Sequence, residues 1–203
     1  METELIVRQA TSADRDAVVE AFGAAWLDEA GTAWVLEGNP VEIFLAEHAP
    51  AMIDRALHDD EVWIAAAGAE IWAVSIWQTV ISADRVLAEA AEAQALADAA
   101  PDVRPFQRLT TLTALLAREH PREFPHRYLQ VIATVPQRRG SGAGGAILAD
   151  RLKAASDAGV PAFLEASTER SARLYTRRGF VRDNMTHTLP DGGPTLIPMW
   201  FRG

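Results

Sequence analysis

Residues 127–145 read RYLQVIATVPQRRGSGAGG, and this stretch decides the fold. An apolar run of strand-forming residues ends at Pro136, two arginines follow, and four of the next six residues are glycine. A helical pattern opens at Ala146. A strand that leads through a glycine-rich turn into a helix presents backbone N–H groups that bind phosphate. The stretch therefore predicts a binding site for a phosphate-bearing cofactor.

Composition places the chain among ordinary globular proteins. It has 203 residues, 49% of them hydrophobic and 23% charged, and we expect residues 1–203 to form a single domain. No apolar run is long enough to cross a bilayer, and the acidic start, METELIVRQA, lacks a signal-peptide pattern. The chain has no cysteine, which fits an intracellular protein. We expect a cytoplasmic protein with no membrane partner.

The charge balance narrows the class of ligand. The formal net charge is −9 at pH 7, which disfavours nucleic acid and favours cationic small molecules, although acidity can also serve solubility alone. The five histidines include no close pair at helical or strand spacing, so we expect no metal site. Without cysteine, no thiolate nucleophile is available.

Hydrophobic periodicity predicts a mixed α/β domain with the element order β-α-α-β-β-(αα)-β-α-β-α-β-β. Residues 26–40 are predicted to be a connection, and residues 61–66 and 71–79 to form a hairpin. The odd separation of Trp72 and Trp77 predicts that they lie on opposite sheet faces. The remaining predicted strands cover 5–9, 128–135, 162–166, 180–188 and 195–201, and the remaining helices cover 11–25, 41–57, 85–99, 106–120, 146–157 and 171–177.

The glycine-rich turn has two interpretations. Gly140, Gly142 and Gly145 satisfy G-x-G-x-x-G, and Glu165 lies about 20 residues further on, where a dinucleotide-binding fold places its ribose-binding acid. This pattern is typical of an NAD(P)-dependent oxidoreductase. Against it, too little chain follows to build a paired dinucleotide sheet, two arginines enter the turn, and the preceding strands form a hairpin.

The same turn also matches a second motif, and this match is more specific than the dinucleotide-binding pattern. Residues 139–144, RGSGAG, resemble the R/Q-x-x-G-x-G/A loop of the GNAT acetyltransferase superfamily, and residues 171–180, SARLYTRRGF, resemble its A-x-x-LY-x-x-x-GF segment. The resemblance implies an α/β fold with a mixed, mostly antiparallel sheet, splayed between the fourth and fifth strands, and helices on both faces. Residues 160–165, 62–65, 73–77 and 193–199 also resemble the puromycin N-acetyltransferases, loosely before residue 60.

The resemblance implies acetyl-CoA as the cofactor. Its pantetheine arm is expected along the fourth strand, and its diphosphate on the backbone of the glycine-rich turn, with two arginines adding charge. The asparagine often found ahead of the second motif is absent, and Thr168 and Ser171 stand nearby. The expected cofactor-binding residues are Ile132, Ala133, Thr134, Arg138, Arg139, Gly140, Ser141, Gly142, Ala143, Gly144, Gly145 and Ser171.

Two residues are candidates for proton transfer. Tyr175 occupies the position of the tyrosine that often protonates the leaving thiolate in GNAT enzymes. Glu165 lies in the otherwise apolar strand AFLEA, where partial desolvation would raise its pKa and suit it to be the base. The structural alternatives are a core tyrosine and a solvated or salt-bridged glutamate.

The acceptor is expected to be a small-molecule amine or an aminonucleoside-like compound, attacked directly in a ternary complex. Aromatic and acidic residues suit such a cation, and residues 81–125 are expected to cover the site. The candidate substrate-binding residues are Trp26, Asp28, Glu29, Trp34 and Trp77, although a tryptophan is more often a core residue. A non-catalytic acyl-CoA sensor remains a third interpretation, and a homodimer is a further expectation.

Overall fold

A computed structural model describes the backbone of residues 4–203 and all of their side chains except those of Ile43 and Phe44. The strands lie close to the predicted ones, and two of them, β5 and β8, have the predicted bounds. The strands are β1 (Ile6–Gln9), β2 (Glu61–Ala67), β3 (Glu70–Val80), β4 (His126–Thr134), β5 (Ala162–Ala166), β6 (Val181–Arg182), β7 (His187–Thr188) and β8 (Thr195–Phe201).

The helices lie on both sides of the sheet, as expected. A π-helical segment, Phe44–His48, joins the third helix to the fourth, and short 3₁₀ turns span Ser12–Asp14 and Pro136–Arg138. The α-helices are α1 (Arg15–Trp26), α2 (Ala30–Leu36), α3 (Val41–Ile43), α4 (Ala49–Asp59), α5 (Asp84–Ala99), α6 (Arg104–Glu119), α7 (Ala143–Asp157) and α8 (Glu169–Thr176). Within residues 4–203, no helix has the length and apolar character needed to cross a membrane.

The sheet opens in its middle. Its strand order is β1-β2-β3-β4-β5-β8-β6, with β7 on β8, and β4–β5 is the parallel pair in an otherwise antiparallel arrangement. The two strands pair only at Arg127 with Ala162 and Tyr128 with Phe163, and both strands continue beyond these residues. The structure confirms the expected fold class, including the splay between the fourth and fifth strands.

A β-bulge occurs in β4 beside this opening. Val131 pairs with Ile76 and Leu129 pairs with Trp77, so Gln130 is the extra residue on β4. A bulge bends a strand and redirects its side chains. Gln130 lines the cavity that occupies the opening.

Each face of the sheet has its own core. Val74 and Ile76 of β3 pack with Phe22 of α1 and Ile53 of α4 on one face. Trp77 packs with Leu148 of α7 and other buried residues on the opposite face. Alternation along β3 produces this division, because successive side chains of a strand point to opposite faces.

The predicted separation of Trp72 and Trp77 onto opposite faces is wrong. Trp72 packs with Ala73 and Ile147, on the side of the sheet that α7 covers, and Trp77 is on that side as well. The cause is a second bulge: Ala65 pairs with Ala73 and Ala66 pairs with Ile71, which leaves Trp72 as the extra residue. Because side chains alternate between the two faces of a sheet, one extra residue reverses the predicted face of every residue beyond it.

Three other local predictions need correction. The predicted connection over 26–40 contains helix α2, whose first turn is capped by the Glu29 carboxylate accepting a hydrogen bond from the Thr32 N–H at 2.9 Å. The predicted helix over 41–57 is interrupted by the π-helical segment. The predicted strand over 180–188 is reduced to the two-residue strands β6 and β7.

Candidate active site

The glycine-rich loop connects β4 to α7 and leaves hydrogen-bond donors free. Gly140 and Gly142 have φ values of +82° and +89°, a region that favours glycine because other residues carry a Cβ. The Ser141 N–H donates to the Arg138 carbonyl at 3.1 Å. The N–H groups of Gly140, Gly142, Gly144 and Gly145 find no acceptor among residues 4–203. Four free donors at the start of a helix form an anion-binding surface.

The two later glycines of the loop meet specific neighbours. A Cβ on Gly144 would lie 3.1 Å from the Thr134 hydroxyl, and a Cβ on Gly145 would lie 2.5 Å from Nη2 of Arg178. The Arg178 guanidinium therefore lies directly against the first turn of α7. It forms no ion pair with any residue of the described chain, so its charge is available to an anion. The sequence analysis did not single out Arg178, although it lies inside the LYTRRGF motif.

Both arginines predicted to bind the diphosphate already have acidic partners. Arg138 donates from Nε to the Glu70 carboxylate at 2.9 Å, and its guanidinium lies 4.4 Å from the centre of the Trp72 ring. Arg139 forms an ion pair of 2.8 Å with Asp28. These contacts place Arg138 against the β2–β3 hairpin and connect Arg139 to the loop that precedes α2.

The predicted pantetheine strand has one free edge. Residues Ile132, Ala133 and Thr134 pair with β3 on one side. On the other side β4 has already parted from β5, so this edge can take an added strand-like ligand. Ile132 also lines the cavity in the opening.

A cavity of about 720 Å³ occupies the opening, a size that fits a sizeable small molecule. It brings together five residues predicted from the sequence, namely Trp26, Asp28, Glu29, Glu165 and Tyr175. Predicted Ser171 lines it as well, and the Ser171 N–H and the Thr168 hydroxyl, 3.0 Å apart, form the cap of α8.

Two tryptophans predicted to bind substrate lie in the core instead. Trp77 is 2% exposed, and its indole N–H donates to the Ser75 hydroxyl at 3.1 Å. Trp34 packs with Val35 and Leu115, and the Arg108 guanidinium lies 4.9 Å from the centre of the Trp34 ring. Trp77 and Trp34 support the cavity without lining it.

Glu165 is a partly buried carboxyl group in β5, at the edge where the sheet opens. Burial raises its pKa to about 7, and a hydrogen bond from the Tyr128 hydroxyl holds the pKa below what burial alone would give. A carboxyl group that titrates near neutrality exchanges protons readily at physiological pH. The sequence analysis predicted a raised pKa from the apolar neighbours of Glu165, and the structure agrees.

Tyr175 is the second buried titratable group in the cavity. It lies in α8, packs edge-on against Phe180 with ring centres 5.8 Å apart, and forms no hydrogen bond to another described residue through its hydroxyl. Burial and the negative charge of Glu29 raise its pKa above the ordinary tyrosine value. The hydroxyl therefore keeps its proton at neutral pH and is free to donate it.

Two histidines make a contact that the sequence spacing did not predict. His120 follows α6 and His126 begins β4, and their Nε2 atoms lie 3.1 Å apart. Nδ1 of His126 donates to the Glu123 carbonyl at 2.7 Å, so its Nε2 accepts from His120. Burial lowers the pKa of both rings, that of His120 to about 4. The part of the chain that the structure describes contains no cluster of three groups that could hold a metal ion.

The same fold occurs in known acetyltransferases. No family model matches the sequence. A Corynebacterium glutamicum structure, "histone acetyltransferase HPA2 and related acetyltransferase", superposes with a TM-score of 0.66 at 24% identity, covering 97% of this chain and 94% of that one. Arylalkylamine N-acetyltransferase 2 from Aedes aegypti has a TM-score of 0.69 at 13% identity and coverages of 97% and 98%.

A third similar structure is a complex with coenzyme A. It is the PaiA N-acetyltransferase from Thermoplasma acidophilum in complex with coenzyme A, with a TM-score of 0.57, 13% identity and coverages of 98% and 99%. The chain described here has the GNAT acetyltransferase fold, over nearly its whole length.

Proposed function

We propose that this protein is an N-acetyltransferase that transfers the acetyl group of acetyl-CoA to a small amine. The observation that carries the proposal is the set of four free N–H groups at Gly140, Gly142, Gly144 and Gly145, at one end of an opened sheet edge. A diphosphate satisfies such donors, and a pantetheine arm can pair along the free edge of β4. The acetyltransferases that share the fold, one of them complexed with coenzyme A, add support.

The residues that would hold the cofactor follow from this geometry. The four glycine N–H groups would bind the diphosphate, the Arg178 guanidinium would add positive charge beside Gly145, and residues 132–134 would hydrogen-bond the pantetheine arm. Acetyl-CoA supplies an acetyl group activated as a thioester. The two proton transfers that accompany acetyl transfer depend on residues of this chain.

Glu165 is proposed as the general base. Transfer requires the amine to be neutral when its nitrogen attacks the acetyl carbon. With a pKa of about 7, the Glu165 carboxylate can accept a proton from the amine, directly or through a water molecule. A C–N bond forms, the C–S bond breaks, and the proton of the amine passes to Glu165.

Tyr175 is proposed as the general acid. The leaving thiolate needs a proton, and the Tyr175 hydroxyl carries one at neutral pH, as a tyrosine of ordinary pKa also does. Its hydroxyl oxygen has no hydrogen-bond partner within the described chain, which leaves it free to face the sulfur atom. Proton donation from Tyr175 then completes release of the thiol.

The oxidoreductase interpretation is not favoured. A dinucleotide fold uses a parallel, doubly wound sheet, whereas here one strand pair is parallel and its two strands diverge. The glycine-rich turn lies at that divergence. The sheet therefore lacks the crevice that a dinucleotide occupies at a topological switch point.

The direct test combines calorimetry and thiol release. We expect coenzyme A to bind and acetyl-CoA to release thiol when an amine is added. Because the chain has no cysteine, a thiol reagent detects released coenzyme A alone. Tyr175→Phe should lower kcat by about 10²-fold or more, the usual contribution of a general acid. Binding of coenzyme A without thiol release from any amine would instead indicate an acyl-CoA sensor, and absence of binding would refute both interpretations.

A further inference from the structure

One wall of the cavity is apolar. Leu109, Leu112 and Leu116 follow one face of α6 at spacings of three and four residues and are half-buried. Val35 of α2 belongs to the cluster against which these leucines pack, and Met52 of α4 also lines the cavity. Half-buried leucines that line a cavity gain free energy when an apolar ligand removes them from water.

Three of the five carboxylates that line the cavity contact an arginine. Asp28 pairs with Arg139 at 2.8 Å, and Arg85 contacts both Asp60 at 2.9 Å and Glu89 at 2.8 Å. A carboxylate held by a guanidinium offers little further attraction to a second cation. Asp28 therefore contributes little to binding an ammonium ion, whereas Asp60 and Glu89 share one guanidinium and keep one negative charge between them.

Two carboxyl groups in the cavity remain without a cationic partner in residues 4–203. Glu165 accepts a hydrogen bond from the Tyr128 hydroxyl, and Glu29 accepts one from the Thr32 N–H at 2.9 Å. The charge of Glu29 acts on both Tyr175 and Tyr128. These two carboxyl groups thus place negative charge beside the two tyrosines, at the place where transfer would occur.

We infer that the acceptor is a primary amine with one cationic group and a bulky apolar body. The ammonium group is attracted by Glu29 and Glu165, and the apolar body packs on the wall formed by Leu109, Leu112 and Leu116. A polyamine fits poorly where its second ammonium group would lie against this wall, because burying a charge among leucines is costly. This inference rests on the proposed acetyltransferase function and specifies its substrate class.

A series of unbranched alkylamines tests the inference on the wild-type protein. From butylamine to octylamine, kcat/KM in the thiol-release assay should rise by about two- to fourfold for each added methylene, as expected for apolar burial. Putrescine and spermidine should react at least about tenfold more slowly than octylamine, because burying an extra charge is costly. Equal rates along the alkylamine series, or a preference for spermidine, would overturn the inference.

A matched pair of leucine variants locates the apolar wall. Leu112→Ala should lower kcat/KM for octylamine about five- to tenfold more than that for ethylamine, because a short chain makes less contact with the wall. Leu87→Ala is the control, since Leu87 lies on α5, is 50% exposed and does not line the cavity. An equal loss for both amines in Leu112→Ala would contradict the assignment.

A binding measurement separates this inference from the proposed function. Octylamine and spermidine are titrated by calorimetry into the protein saturated with coenzyme A. Tighter binding of octylamine supports the apolar cavity even if no amine releases thiol, a result that would refute the acetyltransferase proposal alone. Tighter binding of spermidine would refute the substrate class while leaving the acetyltransferase proposal intact.

Discussion

Arg139 of the glycine-rich loop and Asp28 before α2 form an ion pair, with 2.8 Å between Nη2 of Arg139 and Oδ2 of Asp28. The pair joins the proposed cofactor loop to the lining of the acceptor cavity. Both side chains are about half-exposed, so the pair contributes on the order of 1 kcal/mol or less. Such a contact can be exchanged for a stronger one with phosphate.

The Arg139–Asp28 pair should compete with cofactor binding. We predict that Asp28→Asn strengthens coenzyme A binding about two- to fivefold at low salt, because Arg139 is released to bind phosphate. Calorimetric measurement of coenzyme A binding to Arg139→Gln and to the double variant completes a double-mutant cycle. If competition is the cause, Asp28→Asn has no effect in the Arg139→Gln background. Weaker binding by Asp28→Asn alone would contradict the prediction.

The two ends of α7 carry glycines that distinguish cofactor binding from stability. Gly142 precedes the helix with φ +89°, Gly159 follows it with φ +65°, and neither has a neighbour within 4 Å of an added Cβ. Alanine at either position should cost about 1–2 kcal/mol of folding stability. Only Gly142→Ala should also weaken coenzyme A binding, by about tenfold, because it redirects N–H donors. Thermal melts and calorimetry measure the two effects, and a similar loss of binding in Gly159→Ala would contradict the assignment of the loop.

Ionisation of Glu165 should destabilise the folded protein. Its pKa is about 7 in the fold and near 4.5 in an unfolded chain, so the folded state binds the proton more tightly. Stability from this group is complete below pH 4.5 and is lost as pH rises through 7, by on the order of 3 kcal/mol. We predict that Glu165→Gln melts at a higher temperature than wild type at pH 8 and close to it at pH 5. A melting difference independent of pH would contradict this ionisation.

Tyr128 should set the pH dependence of the reaction. Its hydroxyl donates a hydrogen bond to Glu165 and lowers the pKa of that carboxyl group. Tyr128→Phe should therefore move the acidic limb of the kcat/KM profile above pH 7, with little change in the plateau. Tyr175→Phe is the matched control, since it should lower the rate without moving the limb. An unshifted limb in Tyr128→Phe would show that Glu165 does not control the profile.

Local patterns were sufficient for much of the fold. Strands β5 and β8 have the bounds that the sequence pattern and turn residues predicted, because a strand buried on both faces of the sheet leaves a clear apolar run. Tyr175 and Glu165, both predicted from the sequence to transfer protons, line one cavity, and their roles stay predictions. Their proximity depends on β5 leading directly into α8, which the sequence makes plain.

Features that depend on tertiary contacts were not predictable. The partner of Arg138 is Glu70, 68 residues away, and no local pattern reveals it. Trp72 is an extra residue of β3 relative to its partner strand β2, and a bulge of this kind becomes visible only when the pairing of the two strands is known. Helix α2 contains Gly31 and Thr32, both poor helix formers, and packing of Trp34 and Val35 against Leu115 of α6 stabilises it.

Only two residue pairs join β4 to β5, so the sheet consists of two parts that meet at this opening. Strands β1–β4 carry α7, and β5 and β6 carry α8. A ligand that hydrogen-bonds along the parted edge and also touches α7 and α8 becomes a further connection between two halves that a shared apolar core already joins. Its arrival should slow deuterium uptake in strands on both sides of the seam, including those it does not touch.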